Sequence, residues 1–377
     1  MPNQRIKPET EEKKVEYLEL IYDLIFVYVI GRNNSLLHGI ENGFVPPQQF
    51  AAYIVATLAV IQIWNFTTFY TNMFGRNSVR DHVFMFVNMY LLYYIGEGTN
   101  LGWASFYTQY HIAWALILIN IGIQYILELR NHPEQANTQQ TIRRMALVLF
   151  GEAALVLIGI AVPSGFSLVA ILFGAGMTWV SQKGRNERID FPHLTERVML
   201  YVVFTFGEMI IGMTGYFEGS FTWRSLYFSV MGFLIVSALF LGYELLYNRI
   251  IDREMKTTGM AYMMIHIILV FSLNNLTTAL EFMQEEEVAL WPKILFLLGS
   301  FLLFYLCLFA LMHFSREGMG VCRRFVLPVA GIALVFIVSM LLLREQMVVN
   351  IAISVVFVYA MFLRIFLYSR KQRAPAL

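Results

Sequence analysis

Twelve apolar runs, each long enough to cross a bilayer, alternate along this chain with polar connections, and that pattern constrains it more than any motif. Crossing about 30 Å of hydrocarbon takes about 20 residues of helix, and the runs fall near 17–37, 48–70, 81–100, 109–129, 144–162, 164–182, 194–215, 223–247, 258–281, 293–313, 323–343 and 347–369. The basic residues test the count. Of 27 Lys and Arg, 23 lie in the termini or in alternate loops; only Arg32, Arg224, Lys293 and Arg344 lie elsewhere. By the positive-inside rule both termini are expected in the cytoplasm. Hydrophobic residues are 58% of 377 and charged residues 14%, against about 25% charged in soluble domains. The reading is an all-α polytopic membrane protein. A net charge of +1 offers no broad basic surface for nucleic acid. Met1 to Glu16 is polar, with no apolar core of a signal peptide. Cys307 lies inside an apolar run and Cys322 at the basic start of the next, so no disulfide framework is expected.

A shift of 177 residues lays Glu19 on Glu196, Tyr70 on Tyr247 and Arg76 on Arg253, and a shift of 180 lays Arg143-Arg144 on Arg323-Arg324. Six spans per half is an even number, so the expected architecture is two parallel six-helix repeats related by an axis along the membrane normal. The divisions are a cytoplasmic tail 1–16, a first repeat 17–182, a linker 183–193, a second repeat 194–369 and a tail 370–377.

Polar residues inside the runs mark candidate sites, because an ionisable group within a membrane is costly. Glu19 and Asp23 are four apart and share one helix face. Asp23, Asn88, Glu152 and His266 lie at one depth, about 9–12 Å in from the cytoplasmic ends of their helices, where a carboxylate and an imidazole can exchange a proton. Interhelical hydrogen bonding is the other reading of the His and Asn. Glu19 sits in the first helical turn, where the dipole favours an acid, and Glu196 is its expected counterpart at the cytoplasmic mouth. Nearer the outer side stand Arg32, Glu97, Glu208, Asn274 and Asn275. Arg32 is half a turn out of phase with Asp23, so Glu97 or Glu208 is its expected partner, as a staple or as an outer gate. Glu244 is expected to be neutralised by Arg249. Glu281, Glu285, Glu286 and Glu287 form an acidic outer loop. His193 and Glu196 have metal-ligand spacing, but no further ligand supports a metal site.

Glu19-Leu20-Ile21-Tyr22-Asp23-Leu24-Ile25-Phe26-Val27 resembles the E-L-F-Y-D-L-V-F-V signature of the bacterial low temperature requirement A family. His193-Leu194-Thr195-Glu196-Arg197 with Gly207-Glu208, and Tyr262 with His266, resemble that family's H-L-x-E-R, G-E and Y-x-x-x-H elements. Ile21 departs from the pattern by replacing an aromatic. The resemblance implies a bacterial inner-membrane protein and supplies no substrate. Tyr22-Asp23-Leu24-Ile25-Phe26, Trp64, Arg76 and Val87-Asn88 are also similar to the F-S-D-motif endolysosomal and bacterial potassium channels. The serine and the histidine after the span 2 tryptophan are missing here; that likeness implies a first helix lining a pore, with Ile30 in it.

The expected function is proton-linked transport of a small ion or solute, with Asp23 titrating, Glu19 and Glu196 at the mouth, and His266 or Glu152 as relays. The alternatives are a cation channel lined by the first helix of each repeat and a non-transporting scaffold or sensor for growth in the cold. No enzyme, cofactor or metal is expected. The expected partners are the lipid bilayer and a small ion or solute, with a homodimer as a candidate assembly.

Overall fold

The computed structural model describes residues 13–99, 102–162, 165–182, 189–217 and 221–371. Within them lie twelve long helices: α1 Tyr17–Asn33, α2 Pro47–Phe74, α3 Val79–Gly98, α4 Trp103–Glu128, α5 Ala136–Gly159, α6 Phe166–Gln182, α7 Phe191–Gly212, α8 Trp223–Leu245, α9 Met260–Phe282, α10 Leu290–Ala310, α11 Arg323–Leu342 and α12 Met347–Lys371. Each answers one apolar run. Eight of them, α2, α4 and α7 to α12, are long and apolar enough to cross a membrane by length and composition. No strand occurs among the described residues, only two isolated bridges. This is the backbone solution that hydrocarbon requires, since a helix satisfies its own peptide groups.

Helix starts follow from local chemistry. Ser78 caps α3 by accepting from the backbone N–H of Asp81, which returns the bond in a capping box. Asp190 caps α7 by accepting from His193 N at 3.0 Å, with Pro192 in the first turn. Because caps and polar helix formers are invisible to a hydropathy window, several helices begin earlier than their apolar runs. α5 starts at Ala136 and so adds Arg143 to the helix that holds Arg144, and α7 starts at Phe191 and so adds His193 to the helix that holds Arg197. Most of the linker and the outer parts of both tails fall outside the described residues.

The helices sort into a centre and a periphery. In α2 and α9, 78% of the most apolar stretch is buried inside the protein, against 22% in α11. α1 packs against α2, α3 and α7; α7 packs against α8 and α9; and α2 reaches α9. These four helices, α1, α2, α7 and α9, form the seam between the first and last six. Neighbour relations recur across it: α1 with α2 and α3, α2 with α6, α3 with α4, α4 with α5 and α5 with α6 each have a counterpart six helices later. Both cysteines are free, Cys307 buried and Cys322 exposed.

Candidate functional site

At the end of the seam where α1 and α7 begin, acids of α1 meet bases of α7. Arg197 is completely buried, and its guanidinium holds both carboxylates: Nη1 donates to Glu19 Oε1 at 2.9 Å, while Nη2 and Nε donate to Asp23 Oδ1 and Oδ2 at 3.0 and 3.4 Å. Nη1 also donates to Thr71 Oγ1 on α2. One turn back on α7, His193 Nε2 lies 3.3 Å from Glu19 Oε2. His193 to Glu19 and Arg197 to Asp23 have the same sequence separation, 174 residues. Equal separations on successive turns mean that α1 and α7 run parallel and in register.

The surroundings fix every donor. Asn72 bridges Asp190, giving Nδ2 to its carbonyl at 2.8 Å and taking its N–H on Oδ1 at 3.2 Å, so its amide is oriented. The same Nδ2 donates to His193 Nδ1 at 3.1 Å. His193 is therefore the neutral tautomer with hydrogen on Nε2, aimed at Glu19. Trp64 of α2 donates its indole N–H to Asp23 Oδ1 at 2.8 Å and stacks on Tyr201 of α7 at 4.1 Å between ring centres. Glu19 also accepts from Glu16 N at 3.1 Å, closing a capping box at the start of α1. Lys13, just before α1, donates to the carbonyls of Thr71, Asn72 and Gly75 at the end of α2, where a cation suits the helix dipole. Two carboxylates face one guanidinium, with the Lys13 ammonium close by as the second positive charge.

The other sequence-singled residues occupy separate settings. Glu196 is exposed and turns away from Glu19; its neighbour Arg197 makes the contact instead. Asn88 donates to Tyr22 OH at 3.2 Å and accepts from Asn120 at 2.8 Å. His266 sits between the Tyr262 carbonyl at 2.8 Å and Tyr243 OH at 3.0 Å. Glu152 is fully buried beside Gln62, whose Nε2 is 3.2 Å from its Oε2. None of these three bonds directly to Asp23 or to another of the three, so the polar layer expected from depth is four separate clusters. Depth along each helix says nothing about direction around it.

Toward the other end, Arg32 pairs with Glu97 at 4.0 Å on a partly exposed face, and Tyr28 donates to the same carboxylate. Glu208 instead lies over Gly31, where a Cβ would collide with its carboxylate. Asn274 donates to Asn34 Oδ1 at 2.8 Å and Tyr53 OH at 3.0 Å, and Tyr53 donates to Asn275 Oδ1 at 2.5 Å, tying α9 to α2. Ile30 is buried in protein. Arg249 lies over the Phe366 ring and makes no ion pair with Glu244 among the described residues, because the aromatic face offers a weakly hydrated seat for a guanidinium. Glu286 of the acidic loop meets Arg224 at 3.6 Å, while Glu281, expected in that loop, is in the last turn of α9 and meets His38 at 3.3 Å. No cluster of three His, Cys, Asp or Glu suited to a metal occurs among the described residues.

All of the sequence signatures contribute to this frame: the α1 acids, the α7 His and Arg, Glu208 on Gly31, and the Tyr262–His266 turn. The family model for the bacterial low temperature requirement A protein matches residues 14–361. The chain belongs to that family. No curated protein and no solved structure matches it. In this low temperature requirement A protein, the H-L-x-E-R element is the α7 half of the ion-pair network, and the E-L-x-Y-D element is the α1 half. Arg197 was hidden from sequence reasoning as one more loop cation. The available signal was its spacing: His193 and Arg197 repeat the four-residue interval of Glu19 and Asp23 with the complementary chemistry.

Proposed function

We propose that this integral membrane protein is a proton-linked transporter of a small ion or solute in the bacterial inner membrane, with both termini cytoplasmic and two parallel six-helix repeats. The observation that carries the reading is the buried network of Glu19, Asp23, His193 and Arg197 across the seam between α1 and α7. A buried ion pair costs several kcal/mol per ion to desolvate and adds little net stability over apolar packing. Its value lies in specifying one arrangement against another, and a seam held by charges opens to water more readily than one held by interlocked apolar side chains. The matched neighbour relations of the two sets of six helices support the repeat, and the register of α1 with α7 supports its parallel sense.

Within this reading Glu19 and Asp23 act as a latch on Arg197. Asp23 is the residue the sequence marks for proton exchange; in the latched arrangement both of its oxygens take donors, from Arg197 and Trp64. The latch fills the contact between the first helices of the two halves, where the channel alternative would need a pore, and this favours a transporter.

Proteoliposomes containing a pH-reporting dye provide the test. Imposed gradients of K+, Na+ or small amino acids should move protons, and an imposed pH gradient should drive one of these solutes. Flux indifferent to the pH gradient removes the proton linkage, and unitary currents in single-channel recordings replace the transporter with a channel. Stability changes without any flux, in Arg197 and Asp23 variants, leave the scaffold reading.

A further inference from the structure

Glu152 of α5 is completely buried, and among the described residues no cation lies beside it. One oxygen, Oε2, accepts from Gln62 Nε2 of α2 at 3.2 Å; the other, Oε1, has no hydrogen-bond partner. The second N–H of the Gln62 amide goes to the Ile171 carbonyl of α6, also at 3.2 Å. The Ile171 carbonyl can only accept, so the nitrogen faces it and the amide orientation is fixed, and Gln62 Oε1 is left without a partner too.

Two buried oxygens, both lone-pair bearers, therefore sit on adjoining groups with one donor missing. An ionised carboxylate in that position is far costlier than a neutral one. A single proton resolves both deficits: an O–H bond forms at Glu152 Oε1 and donates to Gln62 Oε1, while Gln62 Nε2 continues to donate to Oε2. Such a cyclic acid–amide pair would satisfy every polar atom of both side chains. Two free oxygens suit a proton, whereas a hard metal cation takes six or more oxygen ligands.

The surrounding titratable groups are engaged elsewhere. α6 has none between Phe166 and Gln182. On α4, Tyr107 bonds the Gly159 carbonyl, Tyr110 the Ala56 carbonyl, His111 Ser167, and Glu128 is held by Arg80, while Tyr125 packs edge-on against Tyr70. On α2, Tyr53 bonds Asn275 and Tyr70 bonds Glu128. On α5, Arg143 and Arg144 are exposed two turns toward the helix start. Packing keeps the pair enclosed: α6 meets it at Gly174, where a Cβ would overlap both the Glu152 carboxylate and the Gln62 amide.

We infer that Glu152 and Gln62 form a proton-binding site among α2, α5 and α6, distinct from the α1–α7 latch. It rests on the proposed transport for its use but not for its existence. Gln62 and Trp64 are two residues apart on α2 and so about 200° apart around it. A shift of α2 that follows gain or loss of the Glu152 proton, passed on through its bond to Gln62, is thereby felt at Asp23 through Trp64.

Infrared spectroscopy of the purified full-length protein tests the site without any transport assay. At neutral pH the protein should show a protonated-carboxyl C=O band that is lost in Glu152→Gln and kept in Glu97→Gln, an exposed control. Persistence of the band in Glu152→Gln overturns the inference. Where Glu152→Gln does not fold, Gln62→Leu keeps the acid and removes its acceptor: a shifted band supports the site, and an unshifted band overturns it. Wild-type flux that ignores a pH gradient refutes the proton-linked reading while leaving the band to judge the site. A proton-driven flux that Glu152→Gln leaves unchanged, with the band lost, shows that the site exists but does not couple, and overturns its proposed use.

Discussion

Replacing Arg197 by Met removes the guanidinium that lies between two carboxylates that are themselves enclosed, Asp23 completely and Glu19 at 4% exposure. Four donated hydrogen bonds disappear, three of them to the carboxylates at 2.9, 3.0 and 3.4 Å and one to Thr71. Charge-assisted bonds are worth about 1.5–3 kcal/mol each, but they share one donor group and are not additive. Breaking a buried pair by removing one partner costs about 3–5 kcal/mol, mostly through the charges left behind. That is the expected loss for Arg197→Met. The same argument requires rescue. Adding Glu19→Gln and Asp23→Asn removes the uncompensated charges, and this triple variant should recover to within about 1–2 kcal/mol of the parent, because neutral replacement of buried pairs is often nearly cost-free. The assay is denaturant titration in mixed micelles, followed by tryptophan fluorescence, with Trp64 stacked beside the site as an internal reporter. The coupling should be insensitive to added salt, since buried pairs are poorly screened. A triple variant no more stable than Arg197→Met refutes the reasoning, as does Arg197→Met within about 1 kcal/mol of the parent, the scale of an ordinary surface pair.

Trp64→Phe deletes the indole N–H bond to Asp23 while keeping a ring against Tyr201; a cost of about 1.5–3 kcal/mol is expected for a bond to a charged group, read by the same titration, and a neutral result would mean that Asp23 needs only Arg197. Gly98→Ala in α3 drives a methyl into the Phe106 ring of α4, so a loss of about 1–3 kcal/mol is expected from overpacking, and Phe106→Leu in the same chain should restore most of it. Cys322 is exposed in the basic connection between α10 and α11, whereas Cys307 is buried. A membrane-impermeant maleimide should therefore label Cys322 in inside-out vesicles and leave intact cells unlabelled, and the reverse result would invert the topology.

Much of the frame was legible because it follows from local periodicity. Apolar runs near 20 residues give the helices in number and order, and the first signature, Glu19 to Val27, sits where α1 begins. The clusters were legible only in part. His266 and Asn88 stood out as polar groups in apolar helices, yet their partners, Tyr243 and Tyr22 with Asn120, lie on other helices or other turns. Arg249 near Glu244 invited a pairing by sequence distance, and the ring of Phe366, far along the chain, took the guanidinium instead.

By itself, then, the sequence determined an all-helical membrane protein of twelve long segments, its family, and two acids on one face of the first helix. Only the tertiary structure decided that those acids meet Arg197 and His193, 174 residues away, and that Glu152 has an amide for company and no cation. The physical reason is one of range. Helix formation and membrane insertion answer to neighbours within a few turns, whereas the partner of a buried charge depends on how every helix packs, so Arg197, in the second turn of α7, reads in sequence like the loop cations just before it.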